Sequence, residues 1–299
     1  MSDADASRRP SLVALGGGTG LAATLRAVRG FADPVTAVVS VADDGGSSGR
    51  LRRERGLPPP GDLRKCLVAL AREGSPWGPV MAHRFRGGTL DGHALGNLVI
   101  AGLTETLGDF TAAIEEVARL LEVKGTVVPA TTEPVVLKAD VDGQPVEGQV
   151  AVAASRGRVG HVGIVPADAR APAQAVQAIV EADLVVLAPG SLFTSLIPVV
   201  CVQDLQGALA ATPARVVQVC NLRPQIPETE GLTATDHLRA VLDHGGRVDV
   251  FLYDPGGRLP VEEDEIRALG AEPVAAAVGD PTGAVHDPDR LGGALQSLV

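Results

Sequence analysis

The strongest constraint in this 299-residue chain is a rhythm, in which short aliphatic runs end in glycine-rich or polar loops and are followed by stretches with helical spacing. Ser11 to Leu15 runs into Gly16-Gly17-Gly18-Thr19-Gly20, and Leu21 to Arg29 then carries a helical pattern. Val35 to Val41 is a second β-branched run and stops at the polar loop Asp43-Asp44-Gly45-Gly46-Ser47-Ser48-Gly49. Strand, turn, helix and strand in that order make a βαβ unit, which sets parallel strands side by side. The rhythm returns with a helix at Pro172 to Glu181, strands at Leu184 to Ala188, Arg215 to Cys220 and Val248 to Leu252, and a helix at Thr233 to Asp243. The expected fold is α/β: a doubly wound, Rossmann-like, mostly parallel sheet in three α/β/α layers. Hydrophobic residues make up 45% of the chain and aromatics only 2%, so the core must be aliphatic, which suits strands buried on both faces.

Further helices are expected at Gly61 to Arg72, at Ala94 to Leu107, and from an Asp109 cap to about Leu121. Between residues 124 and 166 the pattern shifts to short alternating runs, Val135 to Ala139 and Val150 to Ala154, broken by Asp142-Gly143 and Arg156-Gly157. That stretch predicts an inserted β-hairpin region. Residues 1–10 read as a disordered polar tail and 11–299 as one domain. Arg8 and Arg9 before an apolar run imitate a twin-arginine export signal, but Gly16 to Gly18 break that run and Arg26 and Arg29 follow it. With no stretch long enough to span a membrane, the expected compartment is the cytoplasm. Cys66, Cys201 and Cys220 are too scattered for a metal cluster and read as buried thiols. A net charge of −10 argues against a sequence-independent nucleic-acid binder.

In a doubly wound sheet, ligands sit beyond the carboxyl ends of the strands, so the loops there carry the chemistry. Gly17, Gly18 and Thr19 occupy that place after the first strand, where glycines let a phosphate approach free N–H groups at a helix start. A plain tight turn uses the same residues. There is no Walker lysine, and Leu21 stands at the third-glycine position of a dinucleotide fingerprint. Asp43 and Asp44 are placed to accept hydrogen bonds from a ribose or sugar hydroxyl, or to hold Mg²⁺, with Ser47 and Ser48 beside them. On the first of these readings Asp44→Asn weakens ligand binding by about 1–3 kcal/mol. Asp62, Arg64 and Lys65 open a helix, where a cap and surface charges are the ordinary reading and a phosphate clamp the sharper one. Gly190 turns out of the most convincing buried strand, and Ser191, Thr194 and Ser195 supply hydroxyls beside free N–H groups, either a second anion site on the same rim or a capped helix with small packing residues.

Taken in order, GGGTG at Gly16, ADDGGSSGRLR at Ala42, PPGDLRKCLVALA at Pro59, GHALGNLVIAGL at Gly92 and APGSLFTSLIP at Ala188 resemble the YvcK-type gluconeogenesis factors of the CofD-like family. CNLRPQIPETEGLTATDHL from Cys220 and HDPDRL from His286 extend the resemblance over nearly the whole chain. Lys65, Ala94-Leu95 and Val199 depart from the usual residues of that pattern. The resemblance implies a UDP-sugar ligand such as UDP-N-acetylglucosamine and a regulatory role in cell shape, cell-wall synthesis and gluconeogenic growth. It also implies a nucleotide site on Gly17, Gly18, Thr19, Asp43, Asp44, Ser47, Ser48, His93, Asn97, Gly190, Ser191, Thr194 and Asn221.

The leading expectation is thus a non-catalytic binding protein with a cell-envelope or metabolic protein partner, and homo-oligomers are compatible with it. The alternative is a Mg²⁺-dependent transferase of the family's enzyme branch, which moves a phospholactyl-type group onto a deazaflavin in coenzyme F420 synthesis. An NAD-binding protein is a third reading, weakened by the incomplete fingerprint.

Overall fold

In a computed structural model, residues 8–299 are described. The strands are β1 (Leu12–Gly16), β2 (Val35–Val39), β3 (Thr126–Pro129), β4 (Val136–Val141), β5 (Gln144–Glu147), β6 (Val159–Val165), β7 (Leu184–Leu187), β8 (Arg215–Val219), β9 (Val250–Tyr253) and β10 (Glu272–Ala275). Seven form a parallel sheet in the order β10-β9-β8-β7-β1-β2-β3. The chain therefore winds outward from β1 through β2 to β3, returns to the other side of β1 at β7, and continues to β10. Every residue of β1, β2 and β7 is buried, as expected of strands covered on both faces. Leu12 and Leu15 on β1, Leu21 and Leu25 on the next helix, and Leu63 and Leu67 are fully buried, and each such side chain contributes about 1.5–3 kcal/mol.

Helix Gly18–Val28 packs between helices Gly61–Leu70 and Pro288–Gln296, while Ala173–Glu181 packs on Gln203–Ala211. These helices cover the sheet and complete the three layers. The three cysteines are free; Cys66 and Cys220 are buried and Cys201 is half-buried, and burial pushes the Cys201 thiol up to about 11. Among the described residues, no single helix is long and apolar enough to cross a membrane.

The insertion is an antiparallel sheet of order β5-β4-β6, larger than a hairpin. Two local expectations change there. Thr126–Pro129 joins the edge of the main sheet as β3, and Val150 to Ala154 lies in a helix, Gln149–Ala154, instead of a strand. The sequence after β2 also differs from the expected loop: Gly46–Arg55 is helical. Its polar composition hides this, because the face it buries is made of Ser47, Ser48, Gly49 and Leu51. Of the expected tail, residues 1–7 lie outside the described residues. The tail boundary moves back, because Arg8 pairs with Asp183 at 2.7 Å and the Pro10 carbonyl accepts the Asp33 N–H at 2.9 Å.

Candidate functional site

The winding reverses between β1 and β7, and the loops after these two strands meet at this switch point, the place where a doubly wound sheet binds its ligands. Gly17 caps helix Gly18–Val28, whose first N–H groups have no intrahelical acceptor. The Gly18 N–H donates to Asp62 at 2.7 Å, whereas the N–H groups of Thr19 and Gly20 have no acceptor among the described residues. Gly20 touches the opposite loop so closely that a Cβ there would lie 1.8 Å from the Pro189 carbonyl oxygen. Gly190 has φ +135°, a region few side chains tolerate, and Asn221 clamps it from both sides. The Gly190 N–H donates to Asn221 Oδ1 and the Asn221 amide donates to the Gly190 carbonyl, each at 2.8 Å.

Between these loops and segments 222–226 and 284–288 lies an open cleft of about 1070 Å³. Thr19, Gly190 and Asn221 line it, together with Arg26, Arg223, Arg258 and His286, and no lining residue is an acid. The three arginines are exposed and have no acidic partner within ion-pair distance among the described residues. Burial holds the His286 imidazole below its ordinary range, and its Nε2 lies 3.1 Å from the Cys220 carbonyl oxygen. The wall is therefore cationic in a chain of net charge −10.

A second group of expected residues forms a buried network instead of lining this cleft. Asn97 donates to Ser47 Oγ at 3.1 Å, Ser47 lies 3.0 Å from His93 Nδ1, and Arg64 Nε donates to Asn97 at 2.9 Å. Arg64 is thus neither a helix-surface charge nor a group in the cleft wall; it is 6% exposed. Burial, then the charge of Arg50, holds His93 below its ordinary range. Ser48 Oγ accepts the Gly61 N–H at 3.1 Å and bonds Asp43, whose carboxyl burial pushes above the usual range, with the charge of Asp62 adding to the effect. Asp43 and Asp62 are the two carboxylates that act on each other beside the glycine loop. Asp62 is already partnered, its Oδ1 by Lys65 Nζ at 2.9 Å and its Oδ2 by the Gly18 N–H, so a Mg²⁺ held by these two carboxylates would have to displace Lys65, and no three metal-ligating side chains converge among the described residues.

Asp44 turns the other way. Its carboxylate accepts the N–H groups of Gln149 at 3.0 Å and Val150 at 2.9 Å, capping helix Gln149–Ala154 of the insertion. The expected pairing of Asp43 with Asp44 at a ligand is replaced by this cap. We therefore expect Asp44→Ala to cost about 1 kcal/mol of local stability, read as faster amide exchange across residues 149–154, and to leave nucleotide affinity within about twofold.

The second anion site expected at Ser191 and Thr194 is also filled from within. Glu228 accepts the N–H groups of Phe193 at 2.8 Å and Thr194 at 3.1 Å, so a carboxylate of the chain itself caps this helix start. Burial raises the Glu228 carboxyl above its usual range. Sequence reasoning missed Glu228, Arg26, Arg223 and Arg258 as neighbours of the site. Arg223 and Glu228 both lie inside the CNLRPQIPETEGLTATDHL motif, which carried a signal, whereas Arg26 and Arg258 lie in no motif.

Residues 12–278 match the family described as 2-phospho-L-lactate transferase CofD. The chain belongs to the CofD family. A Mycobacterium leprae (strain TN) relative with a provisional gluconeogenesis-factor name is 46% identical over 309 residues, covering 97% of this chain and 86% of its own. The Bacillus subtilis (strain 168) gluconeogenesis factor is 36% identical over 313 residues, covering 98% and 99%. A crystal structure of a UPF0052 family member from Bacillus halodurans superposes with a TM-score of 0.93 at 36% identity, covering 97% of this chain and 99% of that one. Within this CofD-family chain, the matched region holds the glycine loop, the buried network and all three cleft arginines, Arg26, Arg223 and Arg258, while His286 lies beyond it.

Proposed function

We propose that this CofD-family protein binds a nucleoside diphosphate sugar of the UDP-N-acetylglucosamine class in the cleft between β1 and β7. In this reading it acts as a cytoplasmic regulator that links gluconeogenic growth to cell shape and cell-wall synthesis through a protein partner. The observation that carries the reading is the acid-free cleft wall, where Arg26, Arg223 and Arg258 line the same cleft as Thr19 and Gly20, whose N–H groups are free. Guanidinium forks and a helix start both favour phosphate oxygens, and two phosphates use such a wall better than one. The gluconeogenesis-factor names of its relatives support the metabolic part of the proposal.

One observation favours a second reading. Asp43 and Asp62 converge beside the glycine loop, where they can hold Mg²⁺ for transfer of a phospholactyl-type group to a deazaflavin. Incubation with UDP-sugars, with NAD, and with a deazaflavin acceptor plus a nucleoside-diphosphate-activated phospholactyl-type donor that releases a nucleoside monophosphate, each with and without Mg²⁺ and followed by mass analysis, separates the two. Unchanged ligands recovered from a saturable complex support the regulator. A phosphodiester product on the deazaflavin would make the protein a transferase.

A further inference from the structure

Strand β6 lies at one edge of the antiparallel sheet, and two side chains of the α/β body close that edge at Val162. The Val162 N–H donates to His244 Nε2 at 2.8 Å, and the Cys201 thiol donates to the Val162 carbonyl at 3.4 Å. An unpaired strand edge is a liability, and here a histidine and a cysteine stand in for a neighbouring strand. His244 caps the carboxyl end of helix Ala234–Asp243, with its Nδ1 2.6 Å from the Ala240 carbonyl oxygen. One ring nitrogen faces a carbonyl and the other faces an N–H, which fixes the neutral tautomer with the proton on Nδ1. A second proton goes to Nε2 and sets donor against donor.

We propose that His244 is a pH-gated latch, which pins β6 to the α/β body while neutral and releases the edge of the antiparallel sheet when protonated. The latch does not depend on the ligand proposed above. The groups facing it act in both directions. Burial opposes charge on His244, the hydrogen bond to Ala240 favours it, His161 opposes it, and Asp243 favours it; the balance holds the imidazole below its ordinary value. His161, the neighbour of Val162 on β6, stacks on His244 with ring centres 5.1 Å apart and planes 8° from parallel. Cys201, which bonds the same Val162, stays a thiol because burial pushes it up to about 11. With the folded value depressed, the stabilisation is complete above the unfolded value of about 6.5 and is lost as pH falls through the folded value.

Hydrogen exchange of the Val162 amide at pH 7.5 and pH 5.0, corrected for intrinsic rates, tests the latch on the full chain. The expected result is at least a tenfold loss of protection at pH 5.0, with β7 and β8 amides unchanged. His244→Gln keeps an acceptor that does not titrate, so it should abolish the pH dependence. Unchanged wild-type protection, equal loss in β7 and β8, or wild-type pH dependence in His244→Gln would each overturn the latch. Should His244→Gln fail to fold, the imidazole resonances of wild type decide: an Nδ1–H tautomer titrating below about 6.5 supports the latch, and an Nε2–H tautomer or a titration at or above 6.5 overturns it.

Discussion

Gly20→Ala should lose about 3 kcal/mol or more of stability and, with it, the cleft. The added carbon would sit 1.8 Å from the Pro189 carbonyl oxygen and 2.5 Å from its carbonyl carbon, so the two loops must part by more than an ångström. They resist, because Asn221 holds Gly190 by two hydrogen bonds of 2.8 Å. Gly18→Ala is the matched comparison: no atom lies within 4 Å of its Cβ position, and only its φ of +65° opposes the change, at about 1–2 kcal/mol. Urea midpoints of the two variants against wild type read the difference. A wild-type midpoint for Gly20→Ala would mean that the loops do not meet as described.

Removing the cationic wall should affect binding and spare the fold. Arg223 and Arg258 are exposed, so replacing either by alanine changes little packing. Each replacement is expected to weaken binding of a nucleoside diphosphate sugar about tenfold, or about 1.4 kcal/mol. The double variant should lose about a hundredfold if the two arginines grip separate oxygens. The loss should shrink as salt rises, because exposed charges are screened beyond about 8–10 Å at physiological ionic strength. Calorimetry at two salt concentrations measures both effects, and full affinity in the double variant would move the ligand away from this wall.

The parts of the fold that were legible in the sequence are those whose signal is local. β1 and β7 are aliphatic runs, β2 and β8 are Val-rich runs interrupted only by Thr36 and by Arg215 and Gln218, and the Gly16–Gly20 turn marks the place where β1 hands over to a helix. The Asp109 cap was readable for the same reason, since its side chain accepts the Ala112 N–H only three residues on. Helix Gly46–Arg55 was hidden because it buries serines and glycine, which read as loop. Helix Gln149–Ala154 was hidden because its cap, Asp44, comes from 105 residues away. The Ser191 and Thr194 hydroxyls were located correctly at a helix start, yet the acceptor for the neighbouring N–H groups, Glu228, arrives from 34 residues downstream of Thr194. Motif order found the loops; the partition of their residues among cleft, buried network and caps is a property of the packed chain.

A nucleoside diphosphate sugar held in this cleft by arginines and free N–H groups should bind without a metal. Isothermal titration of the full chain with UDP-N-acetylglucosamine, in chelator and again in Mg²⁺, tests it most directly. The expected result is saturable one-to-one binding of similar affinity in both buffers, competed by UDP and weakened about a hundredfold in the folded Arg223→Ala, Arg258→Ala variant. Absence of binding by the folded wild type, or binding that appears only with Mg²⁺, would contradict it.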